Sequence, residues 1–377
     1  MKLRPKTAIS DFFSDIEDPR VERHKKHQLI DIITITICAV ISGVEHWTEI
    51  ESYGKVKQKW FKKFLKLPHS IPSHDTFSRV FQILNPEELQ RCFLNWTQSV
   101  FELSESEIIP IDGKTLRHSY DTASEKKAIH MVSAWSTKNK LVLGQLKVDK
   151  KSNEITAIPS LLKKLKIKGC IVTLDAMGCQ KKIVEQIIEQ DADYLIALKK
   201  NQSSLYEASE ELFIKALAFN SSGLNPESFS EDNFSHGREE TRAITVLNNS
   251  SHLVDPKSKW KNLKSIIRVD SLRVDPKGKV KFEQRYFISS LVLDAKSFAK
   301  IIRTHWSIEN QLNWVLDVQF NEDDSRIRKE NSPENMAIIR QLALSLLNQD
   351  PTSKKSLKSK QNKASWDNDY LLQILAV

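Results

Sequence analysis

Three carboxylates in this chain are placed where they could do chemistry together. Asp112 closes the apolar run IIPI, and Asp175 closes IVTL. The end of a buried strand is where α/β proteins hold ligands, because the backbone there is rigid and the side chain meets solvent. Asp112-Gly113 also reads as an ordinary turn dipeptide, so neither aspartate is diagnostic alone. Glu309 lies in IIRTHWSIEN, on a late helical stretch. Three carboxylates in a water-poor rim repel one another and are held together by bound cations. Mg²⁺ suits such a set, since it takes oxygen ligands and keeps several waters. Two such ions ~3.5–4 Å apart activate an attacking oxygen and stabilise the leaving oxygen of a phosphodiester. Asp317, about 80° round a helix from Glu309, is placed to act as a supporting or alternate ligand. Glu322-Asp323-Asp324 is an alternative acidic cluster.

The elements that must position these groups follow from periodicity. After residue 106 the sequence predicts strands over Ile108–Ile111, Ile129–Ser136 and Leu141–Val148, the last two joined by the turn Thr137-Lys138-Asn139-Lys140. A helix over Glu154–Leu165, a strand over Cys170–Leu174, a helix over Lys181–Gln190 and a strand over Tyr194–Leu198 complete the series. That order suits an α/β sheet, antiparallel in its first strands and parallel in its later ones. Residues 201–295 interrupt it with a helix (Ser203–Phe219), a polar loop (SSGLNPESFSEDNFSHG) and three alternating strands, Arg242–Leu247, Ser265–Arg273 and Lys279–Ser289. One long helix over Ala295–Val318 then carries Arg303, His305, Trp306 and Glu309, and a last helix covers Pro333–Asn348. The polar tail 350–377, rich in lysine, reads as a solvated linker.

Residues 1–105 read as helical. Leu29–Val44 is too long for one strand, a helical pattern runs through Ser42–Leu65 until Pro68 and Pro72, and helices follow over His74–Ile83 and Pro86–Phe101. Asn85 and Pro86 open the last of these as cap and first helical residue. Lys55, Lys59, Lys62, Lys63 and Lys66 share a face, while Val56, Trp60, Phe64 and Leu67 line another. The lysine face is either a solvated surface or one that tracks phosphates.

Composition bounds the function. At 377 residues, 40% hydrophobic and 28% charged, the chain has material for a real core and is not wholly disordered. Nine glycines exclude a glycine-rich architecture. Lys+Arg exceeds Asp+Glu by 57 to 48, a surplus of +9 that favours a polyanion as partner. Cys38, Cys92, Cys170 and Cys179 are scattered without CxxC spacing, so no zinc site or disulfide framework is suggested. The N-terminus turns acidic where a secretory leader would be apolar, and Leu29–Val44 falls short of the ~20 residues a membrane span needs. A cytoplasmic protein is expected.

Nine segments in order carry a resemblance: DFFSDIEDPR, IPSHDTFSRVF, IDGKTLRHSY, HMVSAWS, SNEITAIPSLL, IVTLDAMGCQ, DYLIALKKNQ, HGREETR, and HWSIEN with LDVQFNEDDSRIR. From about Asp11 to Asn348 the chain resembles the H-repeat-associated transposases of bacterial insertion sequences, within the wider IS-four-like DDE group. The resemblance implies an α/β fold with an RNase H-like catalytic core, a β-rich insertion before the glutamate-bearing helix, and a small all-helical N-terminal domain. The implied division is 1–105 for DNA-end binding, 106–200 for the first part of the core, 201–295 for the insertion, 296–349 for the remaining core helices and 350–377 for the tail.

Carried over by motif, Asp112, Asp175 and Glu309 match the DDE triad, with Asp112 bridging two Mg²⁺ ions, for which Mn²⁺ would substitute. The partners implied are DNA, as element ends and target, and a second copy of the chain in a homodimer, in a bacterial cytoplasm. Lys114 and Arg117 follow Asp112 and are candidate phosphate ligands, as are Lys199 and Asn201 with their neighbours Lys200 and Gln202. His236, Arg238 and Arg242 are candidate DNA contacts from the insertion, and Arg303 and His305 are candidates on the late helix. Trp306 reads either as a base-stacking ring or, more simply, as a core tryptophan. The wider group carries tyrosine, arginine and lysine at minus seven, minus four and plus seven from the glutamate, where this chain has Ile302, His305 and Leu316. That departure leaves open a chain that binds DNA ends without cutting them. An RNase H-like nuclease serving another process is a third reading.

Overall fold

The computed structural model describes residues 9–100, 103–122, 124–148, 153–218, 224–235 and 238–375. Their strands are β1 (Ile108–Thr115), β2 (His130–Ser136), β3 (Leu141–Lys147), β4 (Ile171–Leu174), β5 (Asp193–Leu198), β6 (Glu227–Ser235), β7 (Arg238–Asn248), β8 (Ser265–Val274) and β9 (Val280–Ser289). The chain divides into two compact units. A strand-rich unit gathers Leu103–Asp112 and Asp149–Ile308, and a helical unit gathers Met1–Glu102, Gly113–Val148 and Glu309–Val377.

In the strand-rich unit the order is β1-β4-β5-β9-β8-β7-β6. β1, β4 and β5 are parallel. All four residues of β4 are buried, as expected of an apolar strand covered on both faces. At β9 the direction reverses, and β9, β8, β7 and β6 follow as antiparallel neighbours. The strands of the insertion thus extend the same sheet. Phe298 and Ile302 of the Ala295–His305 helix pack on Ile171, Leu195, Ile267 and Phe287 from that sheet.

Two expectations are corrected here. The segment read as a loop contains β6, paired along its length with β7. Its serines and acids hide the alternation, because an edge strand meets water and takes its pairing from one neighbour; Phe229 packs on the core while Phe234 is exposed. The single long helix over Ala295–Val318 is broken instead. It stops at His305, a π turn spans Glu309–Asn313, and a second helix runs over Trp314–Phe320. A π turn shifts backbone pairing by one residue without erasing the apolar periodicity, so the pattern does not reveal it.

The helical unit is organised round two buried helices. Leu29–Ile41 is buried at every residue but Ile30 and packs against Ser332–Gln349. Asp31, buried within the first, accepts the Leu67 N–H at 3.0 Å. Gly43, with φ +83°, lies just past the end of that helix, and the pattern read through Ser42–Leu65 resolves into Trp47–Val56 and Gln58–Phe61. Trp60 and Leu67 are buried as expected, but Val56 and Phe64 face solvent. β2 and β3 form an antiparallel hairpin against which Ser332–Gln349 also packs.

The tail is not a solvated linker. It forms the helices Leu357–Trp366 and Asn368–Leu375. Lys360 is buried and donates to the Leu347 carbonyl at 2.9 Å, while the Tyr370 hydroxyl donates to Asp350 Oδ2 at 2.6 Å. A lysine count along the chain cannot distinguish one whose partners lie in another helix. The four cysteines are buried and free. Among the described residues no helix is long and apolar enough to cross a membrane.

Candidate active site

The parallel ladder brings the two aspartates together. β1 and β4 pair from Ile108↔Ile171 to Ile111↔Leu174, so the pairing stops just before Asp112, which lies inside β1 and not after it as expected, and before Asp175, which follows β4. Asp112 is half-buried and Asp175 is exposed. Asp175 Oδ1 accepts the backbone N–H groups of Met177 at 3.0 Å and Gly178 at 3.2 Å, so the carboxylate shapes its own turn. Its Oδ2 has no hydrogen-bond partner among the described residues. Position 178 needs glycine, because a Cβ there would stand 2.9 Å from the Leu174 Cβ.

The same turn is fastened from the exit of β5. The Asn201 side-chain amide donates to the Ala176 carbonyl at 2.7 Å, and that of Gln202 donates to the Cys179 carbonyl at 2.8 Å. Asn201, expected at a phosphate, thus holds the segment that carries Asp175, while Lys199 and Lys200 beside it are exposed. Asn201→Ala is expected to cost about 1 kcal/mol of stability and to slow DNA cleavage by more than tenfold, since a displacement of ~1 Å at a reacting group can cost ~10²-fold. Thermal unfolding and single-turnover rates measure the two effects. An unchanged rate would mean the turn holds its shape without this bond.

On the Ala295–His305 helix, His305 Nδ1 lies 2.9 Å from Thr173 Oγ1 of β4. Burial pushes its pKa down to about 4, so the imidazole is neutral at pH 7 and offers no charge to a phosphate. The unfolded chain protonates this histidine near pH 6.5, before the folded one does. Its stabilising contribution is complete above that pH and is lost as pH falls toward 4, by up to about 3 kcal/mol. His305→Gln is expected to flatten the pH dependence of unfolding between pH 4 and 6.5 relative to the unsubstituted chain; parallel curves would refute this.

Trp306 corrects the core reading: it is 49% exposed, with the Arg285 guanidinium 5.8 Å from its ring centre. Arg303 is exposed and stands 3.6 Å from Glu231. Ile302 and Leu316, at the two departures from the wider group, are buried, each in its own unit's core. They are packing residues.

Glu309 opens the π turn in the helical unit. It is exposed and accepts the Asn313 side-chain amide at 2.9 Å. The acidic residues downstream are already matched by cations of the same unit. Lys114 Nζ bonds the Asp317 carboxylate, Glu322 at 2.9 Å and the Asn313 carbonyl at 3.3 Å. Burial alone would lower the Lys114 pKa, but Glu322 and Asp317 more than offset it and raise it above the usual lysine value. Arg117, largely exposed, pairs with Asp323 at 3.2 Å. Lys114 therefore neutralises buried acid, and Asp317 and Glu322 are committed to it. Their partner was legible only as a lysine two residues after Asp112. His236 lies outside the described residues, and of Arg238 only the backbone, as the first residue of β7, is described. Arg242 pairs with Glu240 at 2.8 Å.

The donor set fits a hard divalent cation: two carboxylates beside one another, one with an oxygen left over, while the nearby Cys179 thiol is buried and held protonated. Among the described residues no three His, Cys, Asp or Glu side chains are gathered as they would be round a metal. Asp112 and Asp175 belong to the strand-rich unit and Glu309 to the helical one.

The family model for a "Transposase DDE domain" matches residues 103–346, and a "DDE_Tnp_1-associated" model matches 10–97. The chain belongs to the DDE transposase family. This DDE transposase is 44% identical over 374 residues to "H repeat-associated putative transposase YhhI" of Escherichia coli K12, covering 98% of this chain and 97% of that one. It is 43% identical over 371 residues to "Putative transposase YncI" of E. coli O157:H7, covering 98% and 94%. Among solved structures, a piggyBac transposase synaptic complex with hairpin DNA matches at TM-score 0.45 and 11% identity, over 96% of this chain and 76% of that one. DDE transposases are polynucleotidyl transferases acting on DNA, and their catalytic domains generally use divalent metal ions.

Proposed function

We propose that this DDE transposase excises and inserts a bacterial insertion sequence through Asp112, Asp175 and Glu309, which would hold two Mg²⁺ or Mn²⁺ ions. The observation that carries the reading is that the parallel pairing of β1 with β4 stops just before Asp112 on one strand and Asp175 beyond the other. The parallel β1-β4-β5 ladder and the antiparallel β2-β3 hairpin support an RNase H-like core. When bound, the ions would supply the positive charge that makes the attacking oxygen nucleophilic and the leaving oxygen stable.

The chain's own groups have distinct tasks. Asp175 Oδ2 is free for a cation while Oδ1 keeps the turn in shape. Water attacks the donor phosphodiester and the bond to the 3′-oxygen breaks, leaving a 3′-hydroxyl and a 5′-phosphate. The freed 3′-hydroxyl then attacks a target phosphodiester, and the displaced bridging oxygen takes up the proton. Trp306 offers its exposed face to a base, and Arg303, Lys199 and Arg117 are accessible cations for the backbone. Residues 1–105 would bind the terminal inverted repeats, and a homodimer would hold two ends at once, in the bacterial cytoplasm.

The test is cleavage of duplex DNA carrying the element's own ends with Mg²⁺ or Mn²⁺. Metal-dependent release of a 3′-hydroxyl at the ends is expected. Salt-sensitive binding with no cleavage on correct ends would overturn the reading in favour of a DNA-binding relic, and cleavage that never joins strands would favour a nuclease.

A further inference from the structure

We infer that this chain carries a pocket for a DNA backbone phosphate beside the Asp175 turn, built from Lys181, Lys257, Lys259 and the start of the Ser203–Ala218 helix. It rests on the reading above and extends it to residues that neither the motifs nor the triad include.

A cavity of about 350 Å³ in the strand-rich unit is bordered by these groups. Lys181 begins the helix that follows the Asp175 turn. Lys257 and Lys259 sit on a loop pinned at both ends. Asp255 Oδ2 accepts the Trp260 backbone N–H at 2.7 Å, the Ser258 N–H donates to the Asp255 carbonyl at 2.9 Å, and Trp260 itself is buried. The single acid of the lining is thus engaged in holding the loop, against three ammonium groups.

Lys181 stands over the Trp260 ring, and Lys257 and Lys259 have no side-chain partner among the described residues. Among the described residues none of the three lysines forms an ion pair, whereas nearby Lys261 meets Glu189 at 3.6 Å and Lys168 meets Asp191 at 3.2 Å. The exposed Ser203 and Ser204 hydroxyls, at the positive end of a 16-residue helix, have no partner among the described residues either. Cations, hydroxyl donors and a helix start around one cavity recognise a phosphate. The only aromatic ring of the lining, Trp260, is buried with Lys181 Nζ 5.9 Å from its centre, so no free face is offered to a base. A backbone phosphate suits this lining better than a free nucleotide.

The location gives the pocket a task. Asn201 and Gln202 border it, and their side-chain amides hold the Ala176 and Cys179 carbonyls of the Asp175 turn. A phosphate seated there is coupled through two side chains to the segment carrying Asp175, and fixes the register of the strand being cut.

The experiment compares full-length wild type, K257Q/K259Q and the control K163Q/K164Q, which removes two exposed lysines of the same unit. Fluorescence anisotropy on duplexes carrying element ends is read over a range of salt. K257Q/K259Q is expected to bind roughly tenfold more weakly and to lower the slope of log affinity against log salt by about 1 to 2, with the control near wild type. Equal losses in both variants, or none in either, would overturn the pocket. Inorganic phosphate competing as well as DNA at equal phosphate concentration would move the ligand to a free phosphate and overturn the DNA assignment. Cleavage by the same samples separates the two readings. A wild type that binds but never cuts, with the K257Q/K259Q loss intact, leaves the pocket standing and removes the catalytic reading. A wild type that cuts, with no K257Q/K259Q effect, does the reverse.

Discussion

Asp175→Asn is expected to lower metal-dependent DNA cleavage by at least ~10³-fold, about 4 kcal/mol of transition-state stabilisation, while leaving the fold and DNA binding intact. The asparagine keeps a carbonyl oxygen where Asp175 Oδ1 accepts the Met177 and Gly178 N–H groups, so the turn survives. What changes is the other atom: an amide nitrogen replaces Oδ2 and brings donors where a cation needs an acceptor. Stability without metal should move by no more than roughly 0.5 kcal/mol. Any rise in melting temperature that Mg²⁺ gives the unsubstituted chain should shrink in the variant. Asp112→Asn and Glu309→Gln should behave alike. Retained cleavage in any of the three would remove that residue from the site. Lost cleavage with lost DNA binding would point to a folding defect instead.

The second large effect concerns stability. Lys114→Ala is expected to destabilise the helical unit by about 3 kcal/mol, the lower end of the range for breaking a buried ion pair. Glu322 is 2% exposed, and without the ammonium its charge has no close partner. The Asn313 carbonyl loses a donor and Asp317 loses its cation at the same time. The buried Arg340 guanidinium, attracted to Glu322, is the reason for choosing the lower end. Replacing both partners, Lys114→Met with Glu322→Leu, should recover only part of the loss, because it removes the buried carboxylate but leaves the buried Arg340 guanidinium without that acid. Denaturant unfolding of the two variants measures this. A loss below ~1 kcal/mol in Lys114→Ala would show that the carboxylate relaxes to solvent.

Much of the fold was legible because it is local. IIPI, IVTL and YLIAL announce buried strands by being apolar without interruption, and β1, β4 and β5 are where those runs stand. Asn85 and Pro86 announce a helix start, and the structure has a helix over Pro86–Val100. The edge strand β6 was not legible, since a strand that keeps one side in water need not alternate strictly. Nor was the break after His305, which leaves the apolar spacing on either side intact.

For the site, the residue types and the strand ends were readable and the partners were not. Asp112 and Asp175 each follow a buried apolar run, which by itself says turn or ligand; Asp112 lies inside β1, and only the parallel pairing of β1 with β4 makes the two neighbours. Lys114 and Asn201 read as phosphate ligands because each lies near a candidate acid. Lys114 is committed to Asp317 and Glu322, and the Asn201 amide to the Ala176 carbonyl. The sequence by itself determined where most strands and helices form, that a carboxylate follows each of two apolar runs, and that lysine and arginine are in surplus. Tertiary structure decided which charges are cancelled, which tryptophan faces solvent, and which lysines remain uncommitted beside the Asp175 turn. Periodicity is carried by residues a few positions apart, whereas a hydrogen bond or ion pair between Lys114 and Glu322 depends on how the chain between them folds.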